Sequence, residues 1–245
     1  MALVDKWEIQ GNFLFKYRGQ FPVLLFLTAI PFIYYTPKVD LSVQFFYNVV
    51  SILVSILGFI IRFYTIGTTP KGTSGRNTKM QIADFLNSTG LYSLVRHPLY
   101  LGNYLIWLGI SIFTYNISFI IIMSLLFWIY YERIMFAEER FLQRKFGKKY
   151  TDWSNKTPAF FPKTFNFKKS KISFSFRSVL RREYSGIISA VIGYSFIDLF
   201  RISFENNYIS ISPSVLQILI IVSIIVFILR SLKHYTNILE EKDGP

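Results

Sequence analysis

The 245-residue sequence contains no cysteine and only two histidines, His97 and His234. The first absence excludes disulfides, thiolate metal ligands, cysteine nucleophiles and Cys-ligated clusters. Two histidines are too few for an imidazole-built metal centre, so no metal site is expected. Acidic residues are also scarce, 14 Asp and Glu against 27 Lys and Arg, leaving a net charge of +13. Charged residues make up only 17% of the chain, below the ~25% of an ordinary soluble domain. The positive surplus falls in connections between apolar runs, and no nucleic-acid recognition module accompanies it. Membrane orientation and anionic lipid headgroups explain it better than nucleic acid does. No cleavable signal peptide is expected. Asp5, Lys6, Glu8, Lys16 and Arg18 precede the first apolar run, and no small-residue cleavage site follows it.

What the chain has is apolar and aromatic side chains, 52% and 19% of residues, at a mean hydropathy of +0.37. The apolar residues cluster into six runs, at 19–36, 43–66, 99–115, 117–136, 184–202 and 213–232. Each approaches the ~20 residues that cross a hydrocarbon core. The expected fold class is therefore all-α, a polytopic helical membrane protein with about six transmembrane helices. Lys71, Arg76, Lys79 and Arg96 lie between the second and third runs, and a longer basic series from Arg140 to Arg182 lies between the fourth and fifth. The alternate connections carry few charges, so both termini and both large loops are expected to be cytoplasmic. Within this plan, 1–162 forms a transmembrane core with its signature region at 67–162. Residues 163–183 form a basic interfacial linker, and 184–245 a C-terminal transmembrane hairpin. A short helix is expected at 80–90. The fourth run is expected to leave the bilayer as an amphipathic helix stopped by Gly147.

Two polar clusters flank the central hairpin. Arg96-His97-Pro98-Leu99-Tyr100-Leu101-Gly102-Asn103 stands at the entry of the third run, and Glu138-Glu139-Arg140 just beyond the fourth. A helix down and a helix back bring both to one depth. Pro98 suits a first helical turn, and Gly102 lets either a ligand or a neighbouring helix approach the backbone. His97 and Tyr100 offer hydrogen bonds. The two glutamates offer carboxylates to ribose hydroxyls or to a cation. Taken singly, each feature also reads as an interfacial anchor, a packing glycine or a solvated face. Their order and spacing favour a cofactor pocket.

These residues resemble the signature of the isoprenylcysteine carboxyl methyltransferase and phospholipid methyltransferase superfamily. Its pattern is Arg-His-Pro-x-Tyr-x-Gly, a membrane hairpin, Glu-Glu, then Phe-Gly-x-x-Tyr running into prolines. The matching residues are Arg96, His97, Pro98, Tyr100 and Gly102, then Glu138 and Glu139, then Phe146, Gly147 and Tyr150, then Pro158 and Pro162. The resemblance implies an S-adenosylmethionine site formed by His97, Pro98, Leu99, Tyr100, Gly102, Glu138 and Glu139. It also implies a lipid or lipidated substrate, and places Lys156 near the acceptor, with Arg96 a second candidate there. The stretch 150–162 followed by 180–186 is similar to a bacterial branch of lipid A phosphate methyltransferases. That branch implies a bacterial inner-membrane protein working on its cytoplasmic side.

With no His/Asp or Ser/His pair evident, an acceptor that is already anionic suits the chain, because it needs no general base. Prenylcysteine carboxyl methylation and phospholipid amine N-methylation are the alternatives within the family. A membrane sterol reductase using NADPH shares an Arg-His-Pro-x-Tyr-x-Gly block, but Glu138-Glu139 would repel its phosphates. A non-catalytic scaffold is the remaining rival.

Overall fold

The computed structural model describes residues 2–19, 21–70, 81–163 and 166–240. Their apolar runs fold into α1 (Leu3–Lys16), α2 (Phe21–Tyr34), α3 (Leu41–Gly67), α4 (Pro98–Ile112), α5 (Ile117–Phe146), α6 (Lys148–Ser154), α7 (Phe176–Asn206) and α8 (Pro213–Tyr235), with one 3₁₀ turn at Leu91–Ser93. No strand occurs among the described residues. The protein is a polytopic helical membrane protein.

All six expected runs are helical, but they are not equivalent. α3, α5, α7 and α8 are long and apolar enough to cross a membrane. α2 and α4 have only 14 and 15 residues, a rise of about 21–22 Å against a hydrocarbon core of ~30 Å. The expectation of about six membrane helices is met by four helices of full spanning length and two shorter apolar helices packed among them. α4 stops early because the Thr114 hydroxyl donates to the Ser111 carbonyl (2.7 Å) and Tyr115 turns to φ +60°. That turn is capped at once by Asn116, whose side chain accepts from Phe119 N–H (3.0 Å) to open α5.

Three further features differ from expectation. Residues 81–90 contain no helix, residue 80 lies outside the described residues, and the segment ends at Gly90, whose N–H donates to the Lys168 carbonyl (2.7 Å). Asn, Ser and Thr favour turns over helix interiors, which suits Asn87, Ser88 and Thr89 here, and Gln81, Ile82, Ala83, Phe85, Leu86 and Asn87 line a cavity instead. Residues 176–183, expected in the linker, already form the first turns of α7. α1 was not anticipated. Trp7, Gly11 and Phe15 recur every four residues and place α1 against α5, where the rings of Trp7 and Phe136 meet in a T shape (5.8 Å between centroids). Its other face exposes Leu3, Val4, Ile9 and Phe13, as an interfacial helix does. α5 runs unbroken to Phe146 and is stopped at Gly147, φ +53°, as its sequence suggests.

The α3–α4 contact sets the depth of the site. A Cβ at Gly58 would lie 2.6 Å from the Gly102 carbonyl, and one at Gly102 would lie 2.8 Å from the Gly58 carbonyl and 2.6 Å from Arg62 Cγ. Only two facing glycines allow the backbones this close, a small-residue interface of the kind that holds helices together in lipid. At the opposite end of the bundle Asp198 of α7 accepts from Ser212 N–H (2.7 Å), Ser212 hydroxyl (3.0 Å) and Arg201 (3.3 Å), closing the turn into α8.

Candidate active site

On α5, Phe127, Tyr131, Ile134 and Glu138 recur at helical spacing, and the first three are buried in the core. Glu138 thus continues an inward stripe, and α4 brings Tyr100 and His97 to meet it. Tyr100 hydroxyl donates to Glu138 Oε1 (2.8 Å). His97 Nε2 lies 2.8 Å from Glu139 Oε1, and its Nδ1 lies 3.7 Å from Glu138 Oε2. Arg96 Nε also donates to Glu139 Oε1 (2.8 Å). The two clusters read from the sequence form one array, a buried imidazole between two carboxylates. A His/carboxylate pair therefore exists here, formed across 42 residues where no local motif announces it. The expectation of a site without one is corrected.

The segment after α5 folds back to close this array. Arg96 donates to the carbonyls of Ser154 (2.9 Å) and Thr157 (3.0 Å). The backbone N–H groups of Arg96 and His97 donate to the carbonyls of Pro158 (2.8 Å) and Ala159 (3.1 Å). Trp153 Nε1 donates to the Tyr92 carbonyl (3.2 Å), pinning α6 to the 3₁₀ turn. Burial, then the Glu138 carboxylate, pushes the Tyr92 phenol up from its ordinary pKa. Burial, then Glu139, does the same to Tyr150. Both phenols therefore stay protonated at neutral pH.

Together these elements border an open cavity of about 490 Å³. Arg96, His97, Leu99, Tyr100 and Glu138 line it, with Asn103, Tyr131, Phe141 and Trp153. Glu139 stands behind His97, and Pro98 is buried in the first turn of α4. Gly102 faces Gly58 and Arg62, so its missing side chain serves helix packing rather than cavity space. Lys156 is exposed beyond α6 and does not line the cavity.

Four charged wall residues escaped the sequence reading. Arg62 of α3 donates from Nε and Nη2 to Glu183 of α7 (2.7 Å each) and from Nη1 to Asn103 Oδ1 (2.5 Å). Arg18 and Arg182 line the same cavity. Glu183 is only 3% exposed. An ionisable residue inside an apolar span is a signal in itself, and Arg62 within 43–66 carried it.

Residues 45–149 match the family model described as phospholipid methyltransferase. The matched segment belongs to the phospholipid methyltransferase and isoprenylcysteine methyltransferase superfamily. The superfamily segment holds most of α3, all of α4 and α5, and hence His97, Tyr100, Glu138, Glu139 and Arg62. α1, α2, α7 and α8 lie outside it. Over 78 residues, 32% of this chain, the sequence is 37% identical to the nickel-cobalt-cadmium resistance protein NccN of Alcaligenes xylosoxydans xylosoxydans, covering 36% of that protein. Over 114 residues (44% of this chain, 48% of the relative) it is 26% identical to the protein-S-isoprenylcysteine O-methyltransferase of Schizosaccharomyces pombe. Over 125 residues (50% and 65%) it is 27% identical to a probable protein-S-isoprenylcysteine O-methyltransferase of Oryza sativa subsp. indica. The chain thus spans from about a third to under two thirds of these relatives. No solved structure matches it.

Proposed function

We propose that the protein transfers a methyl group from S-adenosylmethionine to an anionic lipid headgroup at the cytoplasmic membrane face. The observation that carries this reading is the charge layout of the 490 Å³ cavity. Glu138 faces it beside Tyr100 and His97, while Arg18, Arg62, Arg96 and Arg182 stand around it. The donor set fits the cofactor: a carboxylate for a cationic or hydroxylated group, and the rings of Tyr92, Phe141 and Trp153 for a purine. The cofactor supplies an electrophilic methyl on a sulfonium. Glu138, oriented by Tyr100 and His97, holds the cationic side. Glu139 keeps the imidazole in place, and Leu99 packs on the wall, while Pro98 and Gly102 act through the position of α4.

On the acceptor side, arginines that need not titrate orient a phosphate or carboxylate and remove it from water. Arg96 lies on that wall, already tied to Glu139 and two carbonyls. Arg62 takes over the orienting role expected of Lys156. A lipid A phosphate and a prenylcysteine carboxylate are the two anionic acceptors the resemblance suggests. The His97–Glu139 pair favours a second reading, N-methylation of a lipid amine, because it offers somewhere for the amine's proton to go.

The test is a pair of measurements on detergent-purified protein. S-Adenosylhomocysteine raises the melting temperature and NADPH does not, and the reverse result makes the protein a reductase. Radiolabelled methyl is then offered to lipid A, a prenylcysteine and phosphatidylethanolamine. Transfer to the last alone replaces the anionic acceptor with the amine. A cysteine introduced at Lys169 stays unlabelled from outside the cell, and external labelling there overturns the cytoplasmic orientation.

A further inference from the structure

Glycines inside the bundle mostly serve packing. A Cβ at Gly58, Gly102, Gly109 or Gly193 would collide with a neighbouring helix, so these four let helices approach, as small residues do in lipid. Gly186 of α7 is different. Among the described residues a Cβ there would meet only Glu183 Oε2, at an ordinary contact distance of 3.6 Å. Its backbone is helical, and inside a helix glycine is less stable than alanine. Neither packing nor backbone conformation accounts for a glycine at this position.

What lies beside Gly186 is the 490 Å³ cavity, which it lines together with Arg182 and Ser185, residues of the same helix face. Glu183 Oε2, the atom nearest to that space, accepts from Arg62 Nε (2.7 Å). Gly186 also marks a change along the chain. Arg181, Arg182 and Glu183 lie within the turn before it, and Ile187 and Ile188 follow directly. That order belongs to the depth where headgroups give way to acyl chains.

We propose that Gly186 is a specificity-determining residue, whose missing side chain leaves the room in which the lipid acceptor's headgroup lies against α7. A side chain at 186 would project from the wall into that room, next to the Arg62–Glu183 pair. α7 lies outside the segment 45–149 matched by the family model, which holds His97, Tyr100, Glu138 and Glu139. Donor binding and acceptor choice are thereby carried by different parts of the chain. The inference rests on the proposed methyl transfer for the lipid's role as acceptor.

The full chain in detergent tests this, and the absence of native cysteine makes an introduced thiol unique. Gly186→Ala is expected to melt no lower than the unmodified chain. A clear drop makes Gly186 a packing glycine and overturns the proposal. Gly186→Cys is alkylated with N-ethylmaleimide, alone and with lipid A, a prenylcysteine or phosphatidylethanolamine in the micelles. One of these lipids is expected to slow the reaction, while the thiol of Ser189→Cys, exposed on the same helix, reacts as before. No slowing by any of them overturns the proposal. So does equal slowing at both positions, which is general lipid coverage, or equal slowing by all the lipids, which is no selection. For the lipid that takes up methyl, Gly186→Leu raises KM about tenfold with S-adenosylhomocysteine affinity intact, and an unchanged KM removes Gly186 as the selecting position. Protection in a chain that S-adenosylhomocysteine does not stabilise removes methyl transfer and keeps the lipid seat. Stabilisation without protection keeps methyl transfer and removes the seat.

Discussion

The two ends of the helix bundle both bury a carboxylate, and they use it differently. At one end Asp198, 1% exposed, is satisfied by Arg201 three residues on and by Ser212 fourteen residues on. Arg201 in turn covers the rings of Phe113 and Tyr115. At the other end Glu183 is held by Arg62, 121 residues away, and His97 by Glu139, 42 residues away. Arg62, Glu183 and His97 of the second set line the 490 Å³ cavity. A buried charge whose partners are local closes a turn. A buried charge whose partners are distant, and which faces open space, is costly to keep unless it meets a ligand.

The comparison is tested most severely at Arg62. Arg62→Met leaves Glu183 buried and alone, and is expected to lower stability by about 3–5 kcal/mol. The double variant Arg62→Met/Glu183→Leu recovers most of that loss, read by thermal denaturation in detergent, but not methyl transfer. Full recovery of transfer makes the pair a structural lock like Asp198. At the far end, Asp198→Asn weakens the Arg201 and Ser212 contacts and is expected to cost about 3 kcal/mol. Turnover per folded molecule stays unchanged. Reduced turnover in monodisperse protein would erase the distinction between the two ends.

Glu139→Gln refines the picture on the cavity side. It leaves the fold intact and weakens S-adenosylhomocysteine by roughly 1–3 kcal/mol, as expected when a charge-assisted bond orienting His97 is lost. Calorimetric titration at wild-type affinity would detach the Glu139–His97–Glu138 array from the cofactor.

The smallest effect belongs to Glu8, which ties α1 to α5. Its hydrogen bond from Arg144 holds its carboxyl below the ordinary carboxylate range. A depressed folded pKa stabilises above the unfolded value and loses that contribution as pH falls through the folded value. α1 should therefore keep its amide-exchange protection through about pH 4 and lose it only below. Glu8→Gln should make that protection independent of pH.

Most of the helical content was legible because it rests on composition and spacing along short stretches. Pro98, Asn116 and Gly147 mark their helix ends by their own chemistry. The Arg-His-Pro and Glu-Glu blocks were legible as neighbours because two helices and a tight turn leave them little choice of depth. α1 was overlooked because its apolar face is broken by Asp5, Lys6 and Glu8, whose charges look solvated until Arg144 is seen beside Glu8. Hydropathy runs on past the ends of α2 and α4, where the Thr36 and Thr114 hydroxyls donate to the carbonyls of Phe32 and Ser111 in the last turns.

By itself, then, the sequence determined a helical membrane protein, the uneven distribution of its charge, and the two blocks that meet. Periodicity and hydropathy are local properties, read within a few turns of chain. Only the tertiary structure decided that Glu138 faces the cavity while Glu139 stands behind His97, that Gly102 packs on Gly58, and that Glu183 of α7 joins Arg62 on the wall. Adjacent residues on a helix differ in direction by ~100°, and which direction meets a cavity depends on where the other helices pack.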